Sequence, residues 1–263
     1  DSSTLSLGLL TPLTRLETLE YRGAFTDDLV DALKSLPVLR ELVLVMPGEP
    51  VGIGRLRHCE RLRSLELVGC VLTPAVFQEF VVLENINELV LRNYEIQSDS
   101  VFTGIDLGVM SNLTELTLKG APIPEEALRC LVSASSLQTL SLEGPVANAT
   151  SLRFARENPA LRRMRLGFTT LTDESQRVLS EMPNLDVLEL VEMRVPSGAE
   201  DALRGSMPQV HLDIRSAHGK ERQVSFPPSE TACVLFHAEV LSPDASDWLL
   251  LGKAIGLVSL PVD

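Results

Sequence analysis

At 263 residues, 44% of them hydrophobic and 22% charged, the chain is long and apolar enough for one or two folded domains, which excludes disorder as the default reading. Its formal net charge of −13 sets it against a nucleic-acid backbone or an anionic lipid surface, both of which would repel it at long range. Only 4% of residues are aromatic, so leucine and valine carry the apolar content, a skew suited to a narrow, repetitive core.

Thr4-Leu5-Ser6-Leu7 reads as the end of a strand unit, and Asp1 stands where an initiator methionine would. Excision from a longer protein and removal of a signal peptide both stay open. An L-x-x-L-x-L block then appears at Leu16-Leu19-Tyr21. After it, Thr26-Asp27-Asp28 predicts a helix start, with Leu29, Leu33 and Leu36 facing inward and Pro37 as the stop. The block returns at Leu39-Leu42-Leu44, but the following Met46-Pro47-Gly48-Glu49-Pro50-Val51-Gly52 is too rich in proline and glycine for an early helix. Leu62-Leu65-Leu67 comes next, then a helix start at Thr73-Pro74.

Ile86-Leu89-Leu91 precedes a return segment, through Ser98 to Asn112, that is three residues longer than usual. This extra length reads either as ordinary loop variation or as a bulge used for binding. Leu113-Leu116-Leu118, Leu137-Leu140-Leu142, Leu161-Met164-Leu166 and Leu185-Leu188-Leu190 complete eight copies. Further helix starts fall at Pro124-Glu125-Glu126, where Leu128 and Leu131 face inward, and at Thr172-Asp173-Glu174. Val210, Leu212 and Ile214 form a degenerate ninth copy.

The first positions of the eight blocks are 23, 23, 24, 27, 24, 24 and 24 residues apart, enough for one short strand and one return segment per coil. Within a block, the last two apolar residues are spaced by two and so share one face of a strand. A single coil has no second layer to cover that face, so neighbouring coils must supply it.

On these blocks the chain resembles the leucine-rich-repeat superfamily, with short repeats of about 24 residues, over roughly Leu13 to Ile214. The resemblance implies an α/β fold, a right-handed horseshoe solenoid with a parallel concave sheet and convex helices or turns. It implies no particular activity. It also implies asparagine or cysteine three residues past the last strand leucine. Ala24, Pro47, Cys70, Tyr94, Ala121, Pro145, Thr169 and Met193 stand there instead, so only Cys70 fits. The expected organisation is a partial repeat or cap over 1–12, the array over 13–214 and a capping segment over 215–263.

Residues between the strand leucines face solvent on the concave sheet and are the candidate contacts. Val43, Val45, Val68 and Val90 would form an exposed apolar patch beside Glu41, Glu66 and Glu88. Plain strand propensity accounts for the valines equally well. Arg92 and Lys119 continue the face. Arg163 and Arg165 form a compact basic pair, suited either to an acidic group on a partner or to internal balancing against Glu143 and Glu189.

Residues that would carry chemistry are scattered. His58, His211, His218 and His237 lack ligand spacing, and neither a G-x-S-x-G elbow nor a phosphate-binding lysine loop is present, so no metal, cofactor or catalytic residue is expected. Asp27-Asp28 and Glu125-Glu126 begin predicted helices, where negative charge complements the backbone dipole. Asn112-Leu113-Thr114 and Asn148-Ala149-Thr150 match the glycosylation sequon but carry little weight. Cys59, Cys70, Cys130 and Cys233 are dispersed and read as reduced thiols, which points to the cytoplasm.

From Arg215 the period stops. Val234 to Val240 could form another strand, and Ser242-Pro243-Asp244 leads into Trp248, Leu249, Leu251 and Ile255 at helical spacing, a lid for the exposed end of the stack. An alternative is that Trp248 anchors a partner or a following domain. The expected role is a non-enzymatic scaffold binding a protein partner on its concave face, with no nucleic acid and no membrane insertion. The runner-up is a recognition or autoinhibitory segment of a larger receptor or enzyme.

Overall fold

The computed structural model describes residues 10, 12–96, 108, 110–215 and 234–236. Ten strands follow in chain order: β1 (Thr18–Arg22), β2 (Glu41–Gly48), β3 (Ser64–Leu72), β4 (Glu88–Arg92), β5 (Glu95–Ile96), β6 (Glu115–Lys119), β7 (Thr139–Glu143), β8 (Arg163–Gly167), β9 (Val187–Val191) and β10 (His211–Arg215). Apart from β5, which pairs with the far end of β3, they lie side by side in sequence order and in parallel, one per coil. This is a leucine-rich-repeat solenoid with an open sheet.

The register is what the spacing of apolar residues requires. Leu19, Leu42, Leu65, Leu89, Leu116, Leu140, Met164, Leu188 and Leu212 are directly opposite one another, strand to strand, and all are buried. Two residues on, Tyr21, Leu44, Leu67, Leu91, Leu118, Leu142, Leu166, Leu190 and Ile214 form the second row of the same core. Burying each leucine is worth roughly 1.5–3 kcal/mol, and none of that gain is available to a coil without a neighbour. The backbone ties the coils together at a fixed point as well: the Glu17 carbonyl accepts from both Arg40 and Glu41 N–H groups, and Arg40, Arg63, Asn87, Thr114, Gln138 and Arg162 repeat the arrangement.

Among the described residues six α-helices occupy return segments: α1 (Asp27–Lys34), α2 (Pro74–Phe80), α3 (Glu125–Val132), α4 (Ala149–Glu157), α5 (Asp173–Ser180) and α6 (Ala199–Ser206). Thr26, Thr73 and Thr172 cap α1, α2 and α5 with their hydroxyls, as the start signals predict. Leu29, Leu33, Leu36 and Leu128 are buried, while the side chain of Leu131 and the long return segment over 97–107 lie outside the described residues. The proline- and glycine-rich second return holds a short 3-10 helix, Ile53–His58. Two helices have no counterpart in the sequence reading. Asn148, noted only as a sequon, caps α4 by accepting from Ser151 N–H at 3.1 Å while its amide donates to the Pro145 carbonyl. α6 follows Gly198, whose positive φ supplies the entry bend and no side-chain cap.

A second period runs through the turns. The residue directly after the strand core takes a positive φ in every coil from the first to the eighth except the second: Gly23, Gly69, Asn93, Gly120, Gly144, Phe168 and Glu192. Glycine meets this requirement without strain, and asparagine tolerates it. Phe168, at φ 55°, and Glu192, at φ 50°, fall under neither case, and Phe168 is the bulkier of the two.

A coil-to-coil polar ladder is also present, but not where the superfamily resemblance places it. Asn87, Asn112, Asn158 and Asn184 donate side-chain amide hydrogens to carbonyls of Asn112, Glu84, Ala134 and Pro159. On the helical side, Arg153 pairs with Glu174 and Arg156 with Glu181, linking α4 to α5.

Of the carboxyl-terminal segment, the described part is β11 (Val234–Phe236), which pairs antiparallel with β1. The sequence reading places this strand near the last coil; it lies at the first. The expected helix around Trp248 falls outside the described residues, as do residues 1–9 and 11 of the expected partial repeat or cap over 1–12. No helix among the described residues is long and apolar enough to cross a membrane.

The cap on α4 is separable from the sequon. Asn148→Ala removes the cap and is expected to cost about 1 kcal/mol in urea-induced unfolding, whereas Thr150→Ala abolishes the sequon and leaves stability within about 0.5 kcal/mol. Equal losses for both variants would contradict the capping assignment.

Candidate functional site

Because each strand alternates inward leucine with outward residue, in-register pairing arranges the outward residues in three columns across the concave sheet. The first passes through Thr18, Glu41, Ser64, Glu88, Glu115, Thr139, Arg163 and Val187. The second passes through Glu20, Val43, Glu66, Val90, Thr117, Ser141, Arg165 and Glu189, and the third through Arg22, Val45, Val68, Arg92, Lys119, Glu143, Gly167 and Val191. The charges are sorted across the width of the sheet: carboxylates concentrate in the first two columns, while Arg22, Arg92 and Lys119 stand in the third.

The valines form a less exposed patch than the sequence suggests. Val43, Val45 and Val68 are half-buried, but Val90 is only 5% exposed. Glu66 lies opposite Val90, and Arg92 lies two residues along the same face. These two side chains join at 2.9 Å, so an ion pair runs beside the valine methyls and covers them. The apolar contact surface therefore lies on β2 and β3.

Most concave charges are already engaged. Arg22 pairs with Glu20 at 2.9 Å, and Lys119 with Glu143 at 2.8 Å. Glu41 accepts from the Thr18 hydroxyl at 3.1 Å and Glu88 from the Ser64 hydroxyl at 2.8 Å. Glu143 is the one buried carboxylate of the face, and Arg165 stands 3.7 Å from it. Glu189, opposite Arg165 in register, makes no ion pair with it among the described residues, so half of the expected internal balancing is absent. The Arg163 side chain is exposed and has neither ion pair nor hydrogen bond among the described residues.

Burial raises the pKa of Glu66; Arg92 and Lys119 oppose that shift, while Glu20 and Glu88 reinforce it. The carboxylate is thus held charged in a setting that resists its charge. Elsewhere, burial pushes the thiols of Cys59 and Cys70 up to about 11, which leaves them protonated and unreactive at neutral pH. Both are free thiols; the Cys130 side chain and Cys233 lie outside the described residues. No group of three His, Cys, Asp or Glu side chains among the described residues is arranged to hold a metal ion.

The sequence reading passes over one residue on this face. Phe168 follows β8, is 47% exposed and has the Lys119 ammonium 4.8 Å from its ring centroid. The signal that could have found it is the glycine recurring one residue past the strand core at 23, 69, 120 and 144, which makes phenylalanine at 168 anomalous.

No protein-family model and no curated protein sequence matches the chain. Among solved structures it is similar to the TLR13–ssRNA13 complex, with a TM-score of 0.53 and 20% identity over 80% of this chain and 30% of that one. An internalin from Listeria monocytogenes aligns with a TM-score of 0.40 and 16% identity over 78% of this chain and 62% of that chain. The APL1 leucine-rich repeat domain aligns with a TM-score of 0.37 and 17% identity over 70% and 45%. At these identities the likeness concerns the fold alone. The chain spans less than a third of the TLR13 chain and less than two thirds of the internalin.

The raised pKa of Glu66 has a definite sign. The folded state holds this proton more tightly than the unfolded chain does, so the penalty for ionising Glu66 is fully present above its folded pKa and is relieved as pH falls through the window just above the ordinary 4.5. The stability of the wild-type chain relative to Glu66→Gln is therefore expected to improve as pH is lowered from 7 into that window. A difference that stays flat or moves the other way in paired urea titrations would contradict this.

Proposed function

We propose that this leucine-rich-repeat solenoid is a non-catalytic scaffold that binds a protein partner on its concave face. The carrying observation is the face itself: nine strands locked in register hold outward side chains on a rigid sheet, with charges sorted by column and three half-buried valines between them. Ordered, partly apolar and only partly self-neutralised, such a surface suits a macromolecule with complementary charge.

Two further observations support the non-catalytic reading. His58 and His211, the histidines among the described residues, sit on different coils, far apart in the stack. A hollow beside the end of α4, lined by Ala155, Leu161, Met182 and Leu185 among others, encloses about 10 Å³, room for one water at most. Cys59 and Cys70, buried as free thiols, accord with a cytoplasmic setting.

The TLR13 structure is a complex with single-stranded RNA. For the present chain, a net charge of −13 and the concave glutamates favour protein over RNA. A second reading makes this array the recognition or autoinhibitory segment of a larger multidomain receptor or enzyme.

The concave assignment is tested by Val43→Lys/Val68→Lys in the full chain. Capture of a protein partner is expected to weaken by roughly tenfold or more, the scale of an interface anchor, while Arg153→Ala on the helical side leaves capture unchanged. Undiminished capture by the double lysine variant would remove the valine-bearing part of the concave face from the function.

A further inference from the structure

We infer that the concave patch spanning β6 to β8 docks an acidic peptide segment that carries an apolar side chain beside its carboxylates. This deepens the concave-face reading and rests on it.

Lys119 and Arg165 share one carboxylate, Glu143, at 2.8 and 3.7 Å, while Arg163 has none among the described residues. The Arg165 Nε–H is buried and has no hydrogen-bond acceptor, and its contact with Glu143 is too long to be one. The rest of the side chain is 41% exposed, so the guanidinium is loosely held and open to a second carboxylate. On β6 to β8 three cations, Lys119, Arg163 and Arg165, stand against two carboxylates, Glu115 and Glu143, a local positive excess on a chain whose net charge is −13. Register produces this excess: Lys119, Glu143 and Gly167 are consecutive members of one column, and Arg163 and Arg165 enter from β8.

Geometry adds an anchor. Phe168 keeps a φ of 55° where the corresponding residues of four other coils are glycine, a backbone conformation that a bulky side chain disfavours. The core does not use the ring, which remains 47% exposed beside the Lys119 ammonium. Gly167 seats the arrangement, since a Cβ there would lie 3.2 Å from the Val191 carbonyl oxygen and 3.4 Å from the Glu143 side chain. A strained, exposed aromatic residue beside under-neutralised cations matches the chemistry of a short acidic and apolar segment.

An extended phosphate backbone fits less well. Glu88 on β4 and Glu115 in the first column of β6 would repel a phosphate backbone that runs on past the three cations. Carboxylates spaced along a peptide need to cover only the three cations.

The test measures fluorescence anisotropy of a labelled polyglutamate peptide with one internal leucine, against its glutamine counterpart and a single-stranded oligouridylate of matching charge. The full chain is expected to bind the acidic peptide in a salt-sensitive manner and to prefer it to both controls. Arg163→Glu, at an exposed position, and Arg163→Glu/Arg165→Glu should weaken binding, the double variant by roughly tenfold or more. Phe168→Gly relieves the positive φ, so its Tm should hold or rise while the peptide binds roughly fivefold more weakly.

Equal binding of the glutamine peptide, tighter binding of the oligouridylate, or indifference to the arginine reversals would overturn the proposal. Val43→Lys/Val68→Lys separates the two readings. Loss of partner capture in that variant, together with a wild-type chain that fails to bind the acidic peptide, leaves the concave face standing and this occupant refuted. Retained capture in that variant, together with peptide binding lost in the arginine variants, removes the valines of β2 and β3 from the function and leaves the docking patch on β6 to β8 standing.

Discussion

Each coil's strand leucines are covered by the strand leucines of the coils on either side and by the inward side chains of the return segments, in one continuous core. A strand carrying Leu65 and Leu67 gains its buried area only when Leu42 and Leu44 lie against one side and Leu89 and Leu91 against the other, in register. That constraint sets the rest of the structure: it forces a parallel sheet, fixes which residues turn outward and determines which outward residues meet. The shared carbonyl before each strand, accepting two N–H groups from the next coil, holds the register from the backbone side. A slip of one residue would carry a leucine row to the solvent and the charged columns into the core.

The outward columns inherit this order without having been selected for core packing, and they differ along the stack. On β2 and β3 the surface is aliphatic and acidic. On β6 to β8 cations outnumber carboxylates, and one half-exposed ring lies beside the Lys119 ammonium. The Arg92–Glu66 pair lies between the two and closes over Val90, dividing the face into two areas of unlike chemistry. Exposed ion pairs of this kind add little stability in water, so their main effect is on shape and charge at the surface.

How much of this can be read from the residues alone depends on whether the signal is local. The strands are legible because L-x-x-L-x-L is a short pattern whose spacing directly reports a face. Three of the helix starts are legible because threonine followed by an acid or proline both caps and begins a helix. α4 is missed because Asn148 has two meanings and the sequon displaces the cap; α6 is missed because Gly198 acts through its backbone and offers no side-chain mark. The polar ladder escapes because Asn87, Asn112, Asn158 and Asn184 bond across coils, a relation visible only once the coils are stacked. The burial of Val90 depends on two residues that meet over it, one of them on the preceding strand. Phe168 is detectable only by aligning the turns with one another, since nothing in its immediate neighbours marks a left-handed backbone.

The uniform spacing of the strands has a further consequence. Neighbouring strands in a sheet sit about 4.8 Å apart, and a coil touches only its two neighbours, so adding or removing one whole coil near β4 would translate the aliphatic area relative to the cationic one by about that distance while leaving the internal geometry of each intact. The array thus works as a ruler with a fixed graduation. Two binding areas on one rigid backbone can be matched to ligands of different span by changing the number of turns between them, without redesigning either area.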